Sequence, residues 1–193
     1  MNPLLAIIAR GRRRPFRIYY DGAYRLPITG VESGPRAMET RRADDVLHYL
    51  RHVHAVRPGM VVTPATASYS AMGRVHSQTY LESLLSPIEL AHIFAVDPSD
   101  VYVDEVLRSV RLGVGGTMEA AIYSLQKRRP AVNLFGGFHH AAPERGAGFC
   151  AINDIAGAVA ERRSRGFAGR IGVIDLGFLP RDDTAACLEK DEH

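Results

Sequence analysis

The chain has 193 residues, 46% of them hydrophobic and 23% charged, and carries a net charge of +3. That profile fits one soluble globular domain, or part of a larger one, and excludes a disordered or collagen-like chain. The two cysteines, Cys150 and Cys187, form no C-x-x-C pair and no disulfide framework, which points to a reducing, cytoplasmic setting.

Residues 1–9 are apolar, but a membrane span needs about 20 such residues. They lack the basic start and small-residue cleavage site of a signal peptide, so they read as a first strand or a ragged terminus. The excess positive charge is clustered, at Arg10, Arg12, Arg13, Arg14 and Arg17 and again at Arg162, Arg163 and Arg165. No aromatic residues interleave with these arginines. They read as solvated faces, and no specific nucleic-acid partner is expected.

In chain order, "FRIYY" (16–20) reads as a strand closed by an Asp21-Gly22 turn. Residues 39–56 read as a helix, with Val46, Leu47, Leu50 and Val53 at helical spacing. "MVVTPA" (60–65) is a short buried strand cut off by Pro64, and 76–85 a helix capped by Ser77. Residues 100–127 form a long helical stretch interrupted by "GVGG" at 113–116. "AVNLF" (131–135) is a strand, 154–163 a helix with Asn153 as cap, and "RIGVIDL" (170–176) another strand.

The order after residue 131 is strand, loop, helix, strand. Such a βαβ unit implies a parallel sheet covered by helices on both faces, and the nearly continuous apolar runs suit strands buried on both sides. Ligands gather beyond the carboxyl ends of such strands. His139 and His140 lie just past one such end and Asp175 at another. Neighbouring residues in extended chain point apart, so one imidazole can face a substrate while the other faces a supporting group. Histidine also titrates near neutral pH, where proton transfer is most useful.

"GGFHHAAPERGAGFCAINDIAGAV" (136–159) resembles the signature of the histone deacetylase superfamily, which includes bacterial acetylpolyamine and acetoin-utilisation-type deacetylases. "RVHSQTYLESL" (74–84), "RLGVGGTMEAA" (111–121) and "IGVIDL" (171–176) fit the same family. The resemblance implies a three-layer α/β/α domain of arginase/deacetylase type, of which this chain carries about half. It implies a zinc-dependent hydrolase acting on acetyl-lysine or an acetylated small amine. In that pattern zinc polarises the carbonyl and activates a water. His140 corresponds to the general base and acid, and His139 to its electrostatic partner. Asp175 matches the carboxylate that orients His139, and Asp182 the one that orients His140. Phe149, with Gly148 before it, matches an aromatic wall of the acyl-lysine tunnel.

The sequence departs from the family at the metal. The family's strand end reads Asp-x-Asp-x-His, whereas here it reads "DLGFLPRDD" (175–183). Gly177 and Leu179 stand where two ligands belong, and neither carries a donor atom. The family's third ligand and its transition-state tyrosine have no counterpart. Residues 177–193 therefore read as a divergent, acidic, flexible tail on a single partial domain, 1–193. Zinc is the family's expected cofactor, but this chain alone is not expected to hold it, and weak or no catalysis follows. The alternative is a non-catalytic fragment that forms homo- or hetero-oligomers through an open sheet edge. An arginase-like hydrolase shares the architecture, but the His-His-Ala tandem argues against it.

Overall fold

The short run of β-branched and aromatic residues after Phe16 forms β1 (Arg17–Tyr19), the centre of the sheet. The computed structural model describes residues 16–30, 38–177, 183–189 and 191. Residues 1–15, with the first arginine cluster up to Arg14, lie outside them, as do Leu179 and Asp182. After β1 come α1 (Arg42–His52), β2 (Val61–Val62), α2 (Tyr69–Met72), α3 (Gln78–Ser83) and α4 (Pro87–Phe94). Then follow α5 (Val103–Lys127), β3 (Ala131–Asn133), α6 (Asp154–Ser164) and α7 (Asp183–Cys187).

The strands run parallel in the order β2-β1-β3. Their side chains alternate between two helical layers, as the period of a strand requires. Ile18 packs with Leu47 of α1 and Val56 on one face. On the other, Arg17 lies 4.2 Å from the Tyr123 ring centre of α5, and the Tyr19 hydroxyl donates to the Glu119 carbonyl of α5. The result is the expected α/β/α arrangement on a parallel sheet. The larger core lies under α5 and α6 and includes Tyr24, Phe94, Val106, Val114 and Ile152.

The sequence-based elements differ from the structure in several places: β2 and β3, expected as buried strands, are only half-buried, with Val132 exposed, and α2 and α4 were not expected. The "GVGG" run does not interrupt α5, which is continuous over 25 residues. These glycines face the packed side of the helix, where a Cβ at Gly115 would lie only 1.9 Å from the Ala65 carbonyl oxygen. They permit close approach instead of breaking the helix. Residues 170–176 are not a strand: they pair with no sheet, and Ile174 and Leu176 are 85% and 92% exposed. Strand pairing is a non-local choice, and the apolar run alone did not decide it. Within the segment read as a divergent tail, α7 is tied down at several points. Asp183 is buried and pairs with Arg145 at 2.7 Å, Asn153 donates to the Thr184 hydroxyl at 3.0 Å, and Asp191 pairs with Arg163 at 2.9 Å. That last contact also anchors Arg163, from the second arginine cluster, away from a purely solvated role.

Side-chain caps mark the starts of three more helices, α3, α4 and α6. Ser77 accepts from the Tyr80 amide and Asn153 from the Ala156 amide, each satisfying a first-turn donor. Ser86 does the same for α4, a helix the sequence reading passed over.

Candidate active site

β3 ends at Asn133, and the chain then turns through Gly136 and Gly137 into the two histidines. Asn133 organises this turn: its side-chain amide donates to the carbonyls of Gly113 and Phe135 and to the Thr117 hydroxyl, each at 2.8 Å. Its Oδ1 accepts from the Tyr24 hydroxyl at 2.6 Å. Gly137 adopts φ +82°, a left-handed conformation that costs glycine little.

Beneath the turn lies Asp154, the first residue of α6, fully buried. Its Oδ1 accepts from the Phe138 amide at 2.7 Å. Its Oδ2 accepts from the Gly137 amide at 3.0 Å and the Thr117 hydroxyl at 2.5 Å. Burial pushes its carboxyl above the usual range, while the hydroxyl and amide donors oppose that shift. The carboxylate thus clamps the two peptide units immediately before His139. The sequence reading credited only Asn153, as a cap. The signal available was an acid at the first helical position after "GFCAIN", where a side chain can reach back to free amides.

His139 and His140 lie with ring centres 4.1 Å apart at 50°. The Nδ1–H of His139 donates to Asp175 Oδ2. Because a carboxylate only accepts, this bond fixes the tautomer and leaves Nε2 of the neutral ring as the acceptor. Asp175 also accepts from the Gly177 amide at 2.7 Å. That amide and the His139 bond hold its carboxyl below the ordinary range, against a small desolvation penalty. Asp175 thus reaches His139 from an unpaired segment, not from the strand expected for it.

Gly148 lies against His140: a Cβ there would come within 2.8 Å of the imidazole Cδ2. Phe149 takes φ +65°, an uncommon conformation for a residue with a Cβ, and its amide donates to the Ile93 carbonyl at 3.2 Å. Its ring packs half-buried against the main core. His139, His140, Asp175 and Gly148 therefore come together, with Phe149 next along the chain. Asp182, the carboxylate expected for His140, is outside the described residues.

The donor set among the described residues does not fit zinc. Among the described residues no group of three His, Cys, Asp or Glu side chains is arranged to hold one ion. A catalytic zinc typically takes three protein ligands. Gly177 offers none, and the chain there folds back onto the pair. A Cβ at 177 would meet Asp175 Oδ1 at 2.9 Å and His139 Cε1 at 3.0 Å.

Comparison with known proteins places these features in a family. The chain is 33% identical over 164 residues to "Histone deacetylase 2" of Arabidopsis thaliana, covering 82% of this chain and 42% of that protein. It is 30% identical over 134 residues to "Acetoin utilization protein AcuC" of Bacillus subtilis, covering 65% of this chain and 34% of that one. Its fold matches a histone deacetylase homologue from Aquifex aeolicus with a TM-score of 0.58 at 21% identity, over 80% of this chain and 42% of that one. The chain thus spans less than half the length of these relatives. The model of the histone deacetylase domain matches residues 36–191, and the chain belongs to that family.

Proposed function

We propose that this chain carries the proton-handling half of a deacetylase site for acetyl-lysine or an acetylated small amine, and that it hydrolyses little or nothing alone. The observation that supports this is the His139–Asp175 bond beside His140. In this reading His140 takes a proton from the attacking water and passes it to the leaving amine nitrogen. His139, held in one tautomer by Asp175, supplies electrostatic support. Phe149 and Gly148 line the approach of the acyl chain. A positioned acid–base pair contributes about 10²–10⁴-fold, whereas enzymes reach about 10⁶-fold or more. The shortfall is what zinc supplies in the family, by polarising the carbonyl and acidifying water. The donors described here do not supply that site. The free thiols Cys150 and Cys187 suit a reducing, cytoplasmic compartment.

The test is to dialyse the purified chain against zinc, measure bound metal, and assay acetate release from an acetyl-lysine peptide. Sub-stoichiometric metal and no acetate above the blank are expected. One zinc per chain with turnover refutes the impairment.

A second reading, non-catalytic association with another chain of the same family, draws on the sheet edge. Val132 of β3 is exposed, and so are Val173, Ile174 and Leu176 in the unpaired segment. Interior strands of parallel sheets are covered on both faces, and an uncovered one is a template for pairing. A mass by light scattering that rises with concentration supports this reading, and a constant monomer mass counts against it.

A further inference from the structure

The loop from His140 to Asn153 has little regular structure of its own, only the isolated bridges Ala142–Arg145 and Ala147–Cys150. A loop so built does not fix two imidazoles by itself. Much of its fixation comes from a remote turn, "HSQTY" at 76–80, at the start of α3.

His76 is 3% exposed, and both its ring nitrogens are spent on the loop. One nitrogen, Nδ1, meets the Ala142 carbonyl oxygen at 2.9 Å, and the other, Nε2, meets the Asn153 amide at 3.0 Å. A carbonyl only accepts and an amide N–H only donates. The ring must therefore be neutral, with its proton on Nδ1. The next residue adds two more ties: the Ser77 amide donates to the Pro143 carbonyl at 3.0 Å and the Ser77 hydroxyl to Glu144 at 2.5 Å. One helical turn on, the Tyr80 hydroxyl donates to the Ala151 carbonyl at 2.6 Å. Gly146 is shaped to that hydroxyl, since a Cβ there would meet it at 2.5 Å. The His76 and Tyr80 rings pack against each other, 5.4 Å apart.

We infer that the His76–Tyr80 turn is a positioning device: neutral His76, supported by Tyr80, grips both ends of the loop and so sets the placement of His139 and His140. A buried histidine that merely filled space would need one partner, anywhere in the core. This one bridges the residue two after His140 to the cap of α6, the helix whose Asp154 clamps the peptides before His139. The ends of the histidine segment are thereby held from two directions. The inference depends on the proposed function only for the use of the two histidines. Its test reads geometry in the chain itself, so it stands or falls whether or not acetate is ever released.

The test uses His76→Phe, which keeps a ring of similar size and loses both hydrogen bonds, and Tyr80→Phe, which loses only the bond to Ala151. Proton and nitrogen magnetic resonance reads the His139 Nδ1–H bonded to Asp175, and hydrogen exchange reads the amides of 137–153. The expected result for His76→Phe is a lost or broadened His139 Nδ1–H resonance, with loop amides exchanging about 10-fold faster or more. The α5 amides should be little changed. Tyr80→Phe should give a smaller change of the same kind. A purely structural role would speed exchange throughout the core and leave the His139 resonance of the folded protein in place. That outcome in His76→Phe overturns the inference. Should His76→Phe fail to fold, an unchanged His139 resonance and unchanged loop exchange in Tyr80→Phe overturn it equally.

Discussion

Acid should weaken this fold through one imidazole before most other groups respond. Burial lowers the His76 pKa from 6.5 to about 4, against the opposing pull of the Ala142 and Pro143 carbonyls and the Glu144 carboxylate. In the unfolded chain His76 takes up a proton near its ordinary pKa, while in the folded chain it stays neutral. The unfolded state therefore binds more protons between these two values, and stability falls as pH drops through that window. Each pKa unit corresponds to about 1.4 kcal/mol, so the full effect is about 3 kcal/mol, of which about 2 is lost by about pH 5. Asp154, its carboxyl raised by burial, has the opposite sign and partly masks the loss. A double difference separates them: urea unfolding of wild type and His76→Phe, each at about pH 7 and pH 5, followed by circular dichroism. The variant starts less stable because it lacks two hydrogen bonds, but its pH dependence should be shallower by about 2 kcal/mol. Equal pH dependence in the two proteins would show that His76 is not held neutral by its surroundings, and the reasoning would fail.

Other substitutions probe the same scaffold. Asp154→Asn replaces one acceptor by an NH2 donor facing the amide or hydroxyl donors already aimed at it, which should cost about 2–4 kcal/mol in urea unfolding. A change below roughly 0.5 kcal/mol would contradict the clamp. Gly115→Ala places a methyl group against the Ala65 carbonyl oxygen and should cost about 3 kcal/mol or prevent folding. Gly59→Ala, where nothing lies within 4 Å of the new Cβ, serves as its thermal-unfolding control and should be nearly silent. Asp175→Asn should abolish or shift the His139 Nδ1–H resonance while leaving the thermal midpoint in place, because the carboxylate is 43% exposed and such pairs contribute little to folding. A large drop in that midpoint would mean that the 170–177 segment is held by this contact.

The parts of the molecule legible in the sequence were those whose meaning is local. Ser77 and Asn153 are caps because a side-chain oxygen reaches an amide three residues on. The tandem histidines announced themselves by their place after an apolar strand and two glycines. Residues 170–176 were misread because an apolar β-branched run records only that burial would be favourable, not that a partner is present to provide it. The glycines of α5 were misread for a related reason. Their low helix propensity is a local cost, about 1 kcal/mol each, and the close packing of Gly113, Gly115 and Gly116 against other segments outweighs it. His76 stood inside a quoted motif, yet its partners are 66 and 77 residues away, beyond what spacing can reveal.

In the proposed reading, proton handling and metal binding separate physically. The first depends on a loop gripped by His76, Tyr80 and Asp154, and on Asp175 meeting His139, all among the described residues. In the family pattern the second would need donors at and beyond position 177, where this sequence has glycine and then leucine at 179. Restoring a carboxylate at 177 alone would not rebuild it. In the present conformation the new Cβ would lie 2.9 Å from Asp175 Oδ1 and 3.0 Å from His139 Cε1, so these side chains would have to shift to admit it.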